Sequence, residues 1–394
     1  MITYIRWFLL SLRWLAKWIF FAFLCGVIAI VTIRFFLPIL AEWSLFSQWD
    51  LLGISRENTT IINNREEIII REDDRLDRIA RNVERSVVYI KASPSDKIPS
   101  LEKQDLESTG IIVTNDGLIV TSFLEEQDLS SEGWTYDVMS FDGTWYTADF
   151  LKQDVFKKLS FFRISGSNFS PLSFADSSDF QLGRKVLALE SFDAKNTNRL
   201  LFGTIENYDP YFSIASQFLA STERYQGVFK ASFVGEVQKS GSAVLSYNGE
   251  LMGIIGLRRV GNDIFEYILE SNEIRESVQA IINDSFQETS FFGASYTPIS
   301  PIIAKKNKLL VEEGAWLAFP ERTTSASVLL FNSPAQKAGL RYGDIITKVN
   351  ETPITSENPL SHILQDTRKD EALTLSVLRG DEMIQVSLLR EEMP

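Results

Sequence analysis

The stretch Ser108-Thr109-Gly110-Ile111-Ile112-Val113-Thr114-Asn115-Asp116-Gly117-Leu118-Ile119-Val120-Thr121 decides the fold. Ile111–Val113 and Leu118–Val120 are short aliphatic runs of high β-propensity. Asn115-Asp116-Gly117 between them is a strong hairpin signal. The same texture recurs outward from it. Val87-Val88-Tyr89-Ile90 lies upstream, and Val186-Leu187-Ala188-Leu189 and Met252-Gly253-Ile254-Ile255 lie downstream. Many short strands punctuated by turns predict a mostly β chain built as a barrel or sandwich.

The chain has 394 residues, enough for two or three domains, and 45% of them are hydrophobic, as a packed core requires. Its net charge of -13 disfavours nucleic acid as a partner, because the phosphates would be repelled. Cys25 is the one cysteine, which excludes an intrachain disulfide, and His362 is the one histidine, which excludes a histidine-rich metal site. No metal and no cofactor are expected.

Trp18 to Leu40 is apolar except for Thr32 and Arg34. At about 1.5 Å per residue this run is long enough to cross a bilayer core of about 30 Å. Arg6, Arg13 and Lys17 precede it without an acid, while mixed charges follow. The positive-inside rule then predicts a single-pass anchor with a cytoplasmic N-terminus and an extracytoplasmic body. Trp7, Trp14, Trp18 and Trp43 read as interface anchors. Residues 44–78 read as a juxtamembrane connector, and Leu76, Ile79 and Val83 fit a helical stripe leading into the first domain.

Four motifs resemble the HtrA-type (DegP/DegS-like) serine proteases. They are the hairpin Ser108–Thr121, the run Ala175–Gly183, the run Ser240–Leu245 followed by Asn248–Ile254, and Phe291–Tyr296 with Ser333–Leu340 and Gly343-Asp344 behind it. They occur in family order from about residue 83 to the end. The resemblance implies a chymotrypsin-like double β-barrel, expected over 79–284, and a C-terminal PDZ domain over 285–394, behind an N-terminal transmembrane segment within 1–43. It also implies a trimer, or a hetero-oligomer with active relatives.

The catalytic positions depart from the family pattern. Thr121-Ser122-Phe123-Leu124 puts Leu124 at the histidine position, and leucine cannot accept a proton. Lys158-Leu159-Ser160-Phe161-Phe162-Arg163 puts Lys158 where the family has the aspartate that orients the imidazole. Asp154 matches an upstream family aspartate instead. Gln238-Lys239-Ser240-Gly241-Ser242 retains the nucleophile position Ser240 but replaces both outer glycines. Gln238 stands where glycine helps aim a backbone N–H into the oxyanion hole. Loss of the base alone costs on the order of 10⁶ in rate in triad knockouts.

Three functions remain open at this point. The favoured one is a membrane-anchored pseudoprotease of envelope quality control, sited in the inner membrane with a periplasmic body, that binds protein or peptide C-termini. The second is an endopeptidase using Ser240 with a lysine base, Lys158 or Lys239. The third is a structural subunit of a membrane complex. For peptide binding the resemblance points to the loop Phe291-Phe292-Gly293-Ala294, whose N–H groups would hold a terminal carboxylate. Leu360 and Leu364 lie on one face of the groove helix, and His362 reads as a partly exposed residue of that helix.

Overall fold

The computed structural model describes residues 2–32, 34, 76–95, 104–123, 133–176, 180–193, 197–209, 220–260, 263–287, 290–319, 327–367 and 372–392. The chain divides into an N-terminal unit, Met1–Asp73, and a body, Asp74–Pro394.

In the N-terminal unit, Ile2–Val31 form helix α1. It starts well ahead of Trp18, because Thr3 to Lys17 contains no glycine or proline to interrupt a helix. Trp18, Phe20, Phe23, Ile28 and Ile30 are all exposed on it. Among the described residues no helix is long and apolar enough to cross a membrane. The apolar run continues past Val31 to Leu40, largely beyond the described residues.

The body opens with α2, residues 76–83, whose Ile79 and Val83 are buried in its core. The domain start expected at residue 79 therefore falls inside a helix that packs as one piece. Six strands follow: β1 (Val87–Pro94), β2 (Leu106–Ile112), β3 (Leu118–Thr121), β4 (Trp134–Met139), β5 (Trp145–Asp154) and β6 (Leu159–Ile164). They close into a barrel in the order β1-β2-β3-β6-β5-β4. The opening hairpin pairs Ile111 with Val120 and Ile112 with Ile119. A second closed barrel, ordered β10-β13-β12-β11-β7-β8, uses β7 (Lys185–Asp193), β8 (Thr197–Asp209), β10 (Val228–Phe233), β11 (Ala243–Leu245), β12 (Leu251–Val260) and β13 (Asp263–Glu270). Helix α3, Ser271–Ile282, follows it.

Period-2 geometry sends successive side chains to opposite faces. Val88, Ile90, Ile112 and Ile119 fill the first barrel. Val87, Ile111, Leu118 and Val120 instead join Leu187, Leu189, Ile254 and Leu269 in a core between the barrels. Both faces of these strands are buried, which is why they read as continuous apolar runs rather than alternating ones.

The last part of the body has β14 (Ser290–Phe291) paired with β21 (Glu391–Glu392), and a larger sheet of β15 (Ser295–Pro298), β16 (Ala315–Trp316), β17 (Ile345–Val349), β18 (Thr352–Pro353), β19 (Leu373–Arg379) and β20 (Glu382–Leu388). Along it the order is β20-β19-β17-β16-β15, and the edge is taken by β9, Ala220–Ser221, from the connection between β8 and β10. Helices α4 (Pro301–Asn307), α5 (Pro334–Lys337) and α6 (Leu360–Asp366) pack on it. Ser333 caps α5 by accepting from Gln336 N, as the Ser-Pro start predicts.

Candidate active site and peptide groove

Ser240 lies in the tight turn before β11 and is 4% exposed. Its carbonyl oxygen accepts from Thr109 N at 2.9 Å and from Ser108 Oγ at 2.8 Å, which pins the turn to β2. Its hydroxyl oxygen lies 3.4 Å from the Leu257 N–H on β12. Among the described residues no lysine, histidine or carboxylate is hydrogen-bonded to that hydroxyl. Gly241 has φ +83°, and a Cβ there would lie 2.0 Å from Thr109 O and 2.3 Å from Thr121 Oγ1. Packing between the barrels thus accounts for the retained glycine without catalysis. Ser242, fully buried, closes the turn by donating to Lys239 O at 2.7 Å.

The position expected to line an oxyanion hole carries the clearest electrostatic departure. Gln238 N–H donates to Glu190 Oε2 at 3.1 Å. Glu190 is 0% exposed and pairs with Arg199 at 3.1 Å. The N–H assigned to a developing oxyanion therefore faces a buried carboxylate. An oxyanion there would forgo this donor, worth about 3–4 kcal/mol, and would meet the Glu190 charge, offset in part by the Arg199 guanidinium.

Neither lysine serves Ser240 as a hydrogen-bonded base. Lys239 Nζ pairs with Glu107 and sits 5.7 Å from the centre of the Tyr89 ring. Burial acts to raise the Glu107 carboxyl, but the Lys239 and Tyr89 hydrogen bonds outweigh it and hold it below the usual glutamate range. Lys158 ends the turn between β5 and β6 at φ +58°, a left-handed conformation unusual for lysine. Its neighbour Lys157 is the one docked on α3, with Glu273 at 2.8 Å and Glu276 at 2.7 Å. Asp154 accepts from Ser277 Oγ and from Lys157 N, both at 2.9 Å, and burial raises its carboxyl. Leu124 lies outside the described residues.

In the groove, Phe292 and Gly293 N–H both donate to Glu223 Oε1, at 3.1 and 2.8 Å. Gly293 has φ +80°, and a Cβ there would lie 2.3 Å from Ser333 Cβ. Phe291 is half-buried, whereas Phe292, Ala294, Leu360 and Leu364 are buried in one core cluster. Phe292 is thus part of the domain's core, not an open pocket wall. His362 is not a bystander. Its Nε2 lies 2.8 Å from Gln226 O, its ring stacks on Tyr225 at 4.6 Å, and Phe156 meets it edge-on at 6.1 Å. Burial lowers its basicity, only partly offset by Glu273 and the Gln226 carbonyl. Tyr296 OH, pushed up to about 12 by burial, accepts from Gln226 Nε2 at 2.7 Å.

Sequence reasoning did not single out Glu190, Glu223, Tyr225 or Gln226. An acid ending the apolar run Val186–Leu189 was a usable signal for Glu190. Glu223 had none, since Ser221-Thr222-Glu223-Arg224 reads as an ordinary polar loop.

Two closed barrels packed over a shared core and followed by a second β-rich domain define a trypsin-like protein with a PDZ-type module. The trypsin-like peptidase domain family matches residues 108–254, and the PDZ domain family matches residues 325–389. A probable periplasmic serine endoprotease DegP-like of Brucella suis is 23% identical over 303 residues, 75% of this chain and 54% of its own length. The periplasmic serine endoprotease DegP of Escherichia coli K12 is 24% identical over 284 residues, covering 71% and 54%. The mitochondrial serine protease HTRA2 of Drosophila grimshawi is 24% identical over 347 residues, covering 84% and 77%. This chain spans about half the length of the DegP relatives it matches (54%). A solved HtrA-type protease, AlgW with tripeptide, shares the fold at a TM-score of 0.59 and 16% identity, covering 80% of this chain and 96% of that one. The chain thus joins a trypsin-like peptidase domain to a PDZ domain and is similar over most of its length to HtrA-type serine proteases.

Proposed function

We propose that this chain is a membrane-anchored pseudoprotease of the HtrA family that binds protein C-termini through its PDZ domain. One observation carries the catalytic half of this reading: the Gln238 N–H rests on the buried Glu190 carboxylate beside a Ser240 whose hydroxyl meets a backbone N–H. An oxyanion would have to displace a negative charge, and Leu124 and Lys158 offer no imidazole system to activate the serine. The Lys239–Glu107 ion pair argues against a serine–lysine endopeptidase. The groove reading is supported by the loop amides of Phe292 and Gly293, which converge on one carboxylate oxygen.

The anchor is the apolar run Trp18–Leu40, with its positive flank, and the body is extracytoplasmic, in periplasmic quality control, a reading supported by the likeness to periplasmic endoproteases. Assembly as a trimer, or with active relatives, is the arrangement that the likeness to HtrA-type proteases supports. The function is tested by incubating the full chain in detergent with unfolded β-casein beside a Ser240→Ala variant. The expected result is no cleavage above the variant. Ser240-dependent fragments would overturn the catalytic half.

A further inference from the structure

The groove of the PDZ domain is not empty. Strand β9 lies antiparallel to β15, with Ser221 opposite Ser295 and Ala220 opposite Tyr296. Continuing toward the loop, Thr222 N donates to Ala294 O at 3.0 Å. The next three loop amides are then satisfied in series. Ala294 N donates to Thr222 Oγ1 at 3.0 Å, and Gly293 N and Phe292 N donate to Glu223 Oε1. A peptide added as a strand, with its end carboxylate on consecutive loop amides, is how such a domain holds a C-terminus. The direction, the pairing and the anion all match. The parity matches too. Ala220 and Thr222 are buried, Ser221 between them is half-buried, and Ala220 sits in the same core cluster as Leu360 and Leu364 of α6. Beyond the carboxylate, Gln226 is held from both walls, by Tyr296 on β15 and His362 on α6.

We propose that Ala220–Glu223 is an internal ligand of this groove, with the Glu223 side chain in the place of a terminal carboxylate, so that an outside C-terminus enters only by displacing it. This rests on the reading of the groove as a C-terminus site. A tethered ligand competes at a high effective concentration. Apparent affinity for an outside peptide is then reduced by the fraction of molecules whose groove is open. The occupant also states a preference. Alanine and threonine face the groove, so the partner is a protein ending in a free carboxylate with small residues last and third from last.

The test uses a fluorescein-labelled hexapeptide with the chain's own sequence Gln217–Thr222 and a free α-carboxylate, titrated against the full chain in detergent by polarisation. Self-occupancy predicts that Glu223→Ala binds it at least tenfold tighter than the unaltered chain. The same peptide capped as an amide should bind neither. Equal affinity for the unaltered chain and the variant would overturn the internal ligand while leaving the groove reading in place. Equal binding of the amide would instead overturn the groove reading. Should the variant not fold, hydrogen exchange on the unaltered chain decides. Saturating peptide must raise exchange across 220–226. Unchanged protection there with peptide bound, or no binding at any peptide concentration by a folded variant, rejects the proposal.

Discussion

At the scale of single residues, the turn that carries Ser240 is held by contacts that have structural reasons of their own. Glu190 is the sharpest case, because its buried carboxylate serves Arg199 and the Gln238 N–H together. Removing one partner of a buried charge pair costs several kcal/mol, less where the other partner reaches water, as Arg199 partly does at 30% exposed. Glu190→Ala is therefore expected to destabilise the body by about 2–3 kcal/mol, read from urea unfolding, without creating serine reactivity. A loss below about 0.5 kcal/mol would mean the carboxylate is dispensable. Gly241→Ala meets backbone oxygen and a left-handed φ at once, so a loss of about 3 kcal/mol or more is expected. The glycine was legible as a family residue. Its packing reason was not, because Thr109 and Thr121 reach it only through the closed barrel.

At the scale of elements, two packings carry most of the consequence. Helix α2 lays Ile79 and Val83 on the core between the barrels, and Val83 is 3% exposed. Val83→Asp would bury an unpaired charge and should cost about 3 kcal/mol or more, with unchanged unfolding as the contrary result. Helix α6 carries His362 onto Tyr225 and Gln226. Its pKa is lowered in the fold, so the stabilising neutral form is fully present above the unfolded value near 6.5 and is lost as pH falls below it. Glu273 opposes this lowering and Lys157 adds to it, while Phe156, Tyr225 and Gln226 are the other groups against the ring. The melting-temperature difference between the unaltered chain and His362→Phe should shrink from pH 7.5 to 5.5; a constant difference would contradict it. Local turn chemistry made the Asn115–Gly117 hairpin readable. Contacts spanning tens of residues, such as Glu190 to Gln238 or Glu223 to Gly293, leave no periodicity to read.

At the scale of the whole molecule, barrels and PDZ domain form one compact unit, and the N-terminal unit carries an apolar helix. Deleting residues 1–40 should move the chain from the membrane pellet to the soluble fraction, and continued pelleting in folded form would contradict the proposed anchor. The order of the motifs made the double barrel and the PDZ domain legible. The self-filled groove was not, because it joins a featureless loop to a distant edge strand. The central claim is that the trypsin-like body binds without cutting, and covalent labelling of Ser240 tests it most directly. The full chain and Ser240→Ala are treated with a fluorophosphonate serine-hydrolase probe beside trypsin. The account predicts strong labelling of trypsin and equal background on both chains. Labelling of the unaltered chain that disappears in Ser240→Ala would show an activated serine despite Glu190, and would contradict it.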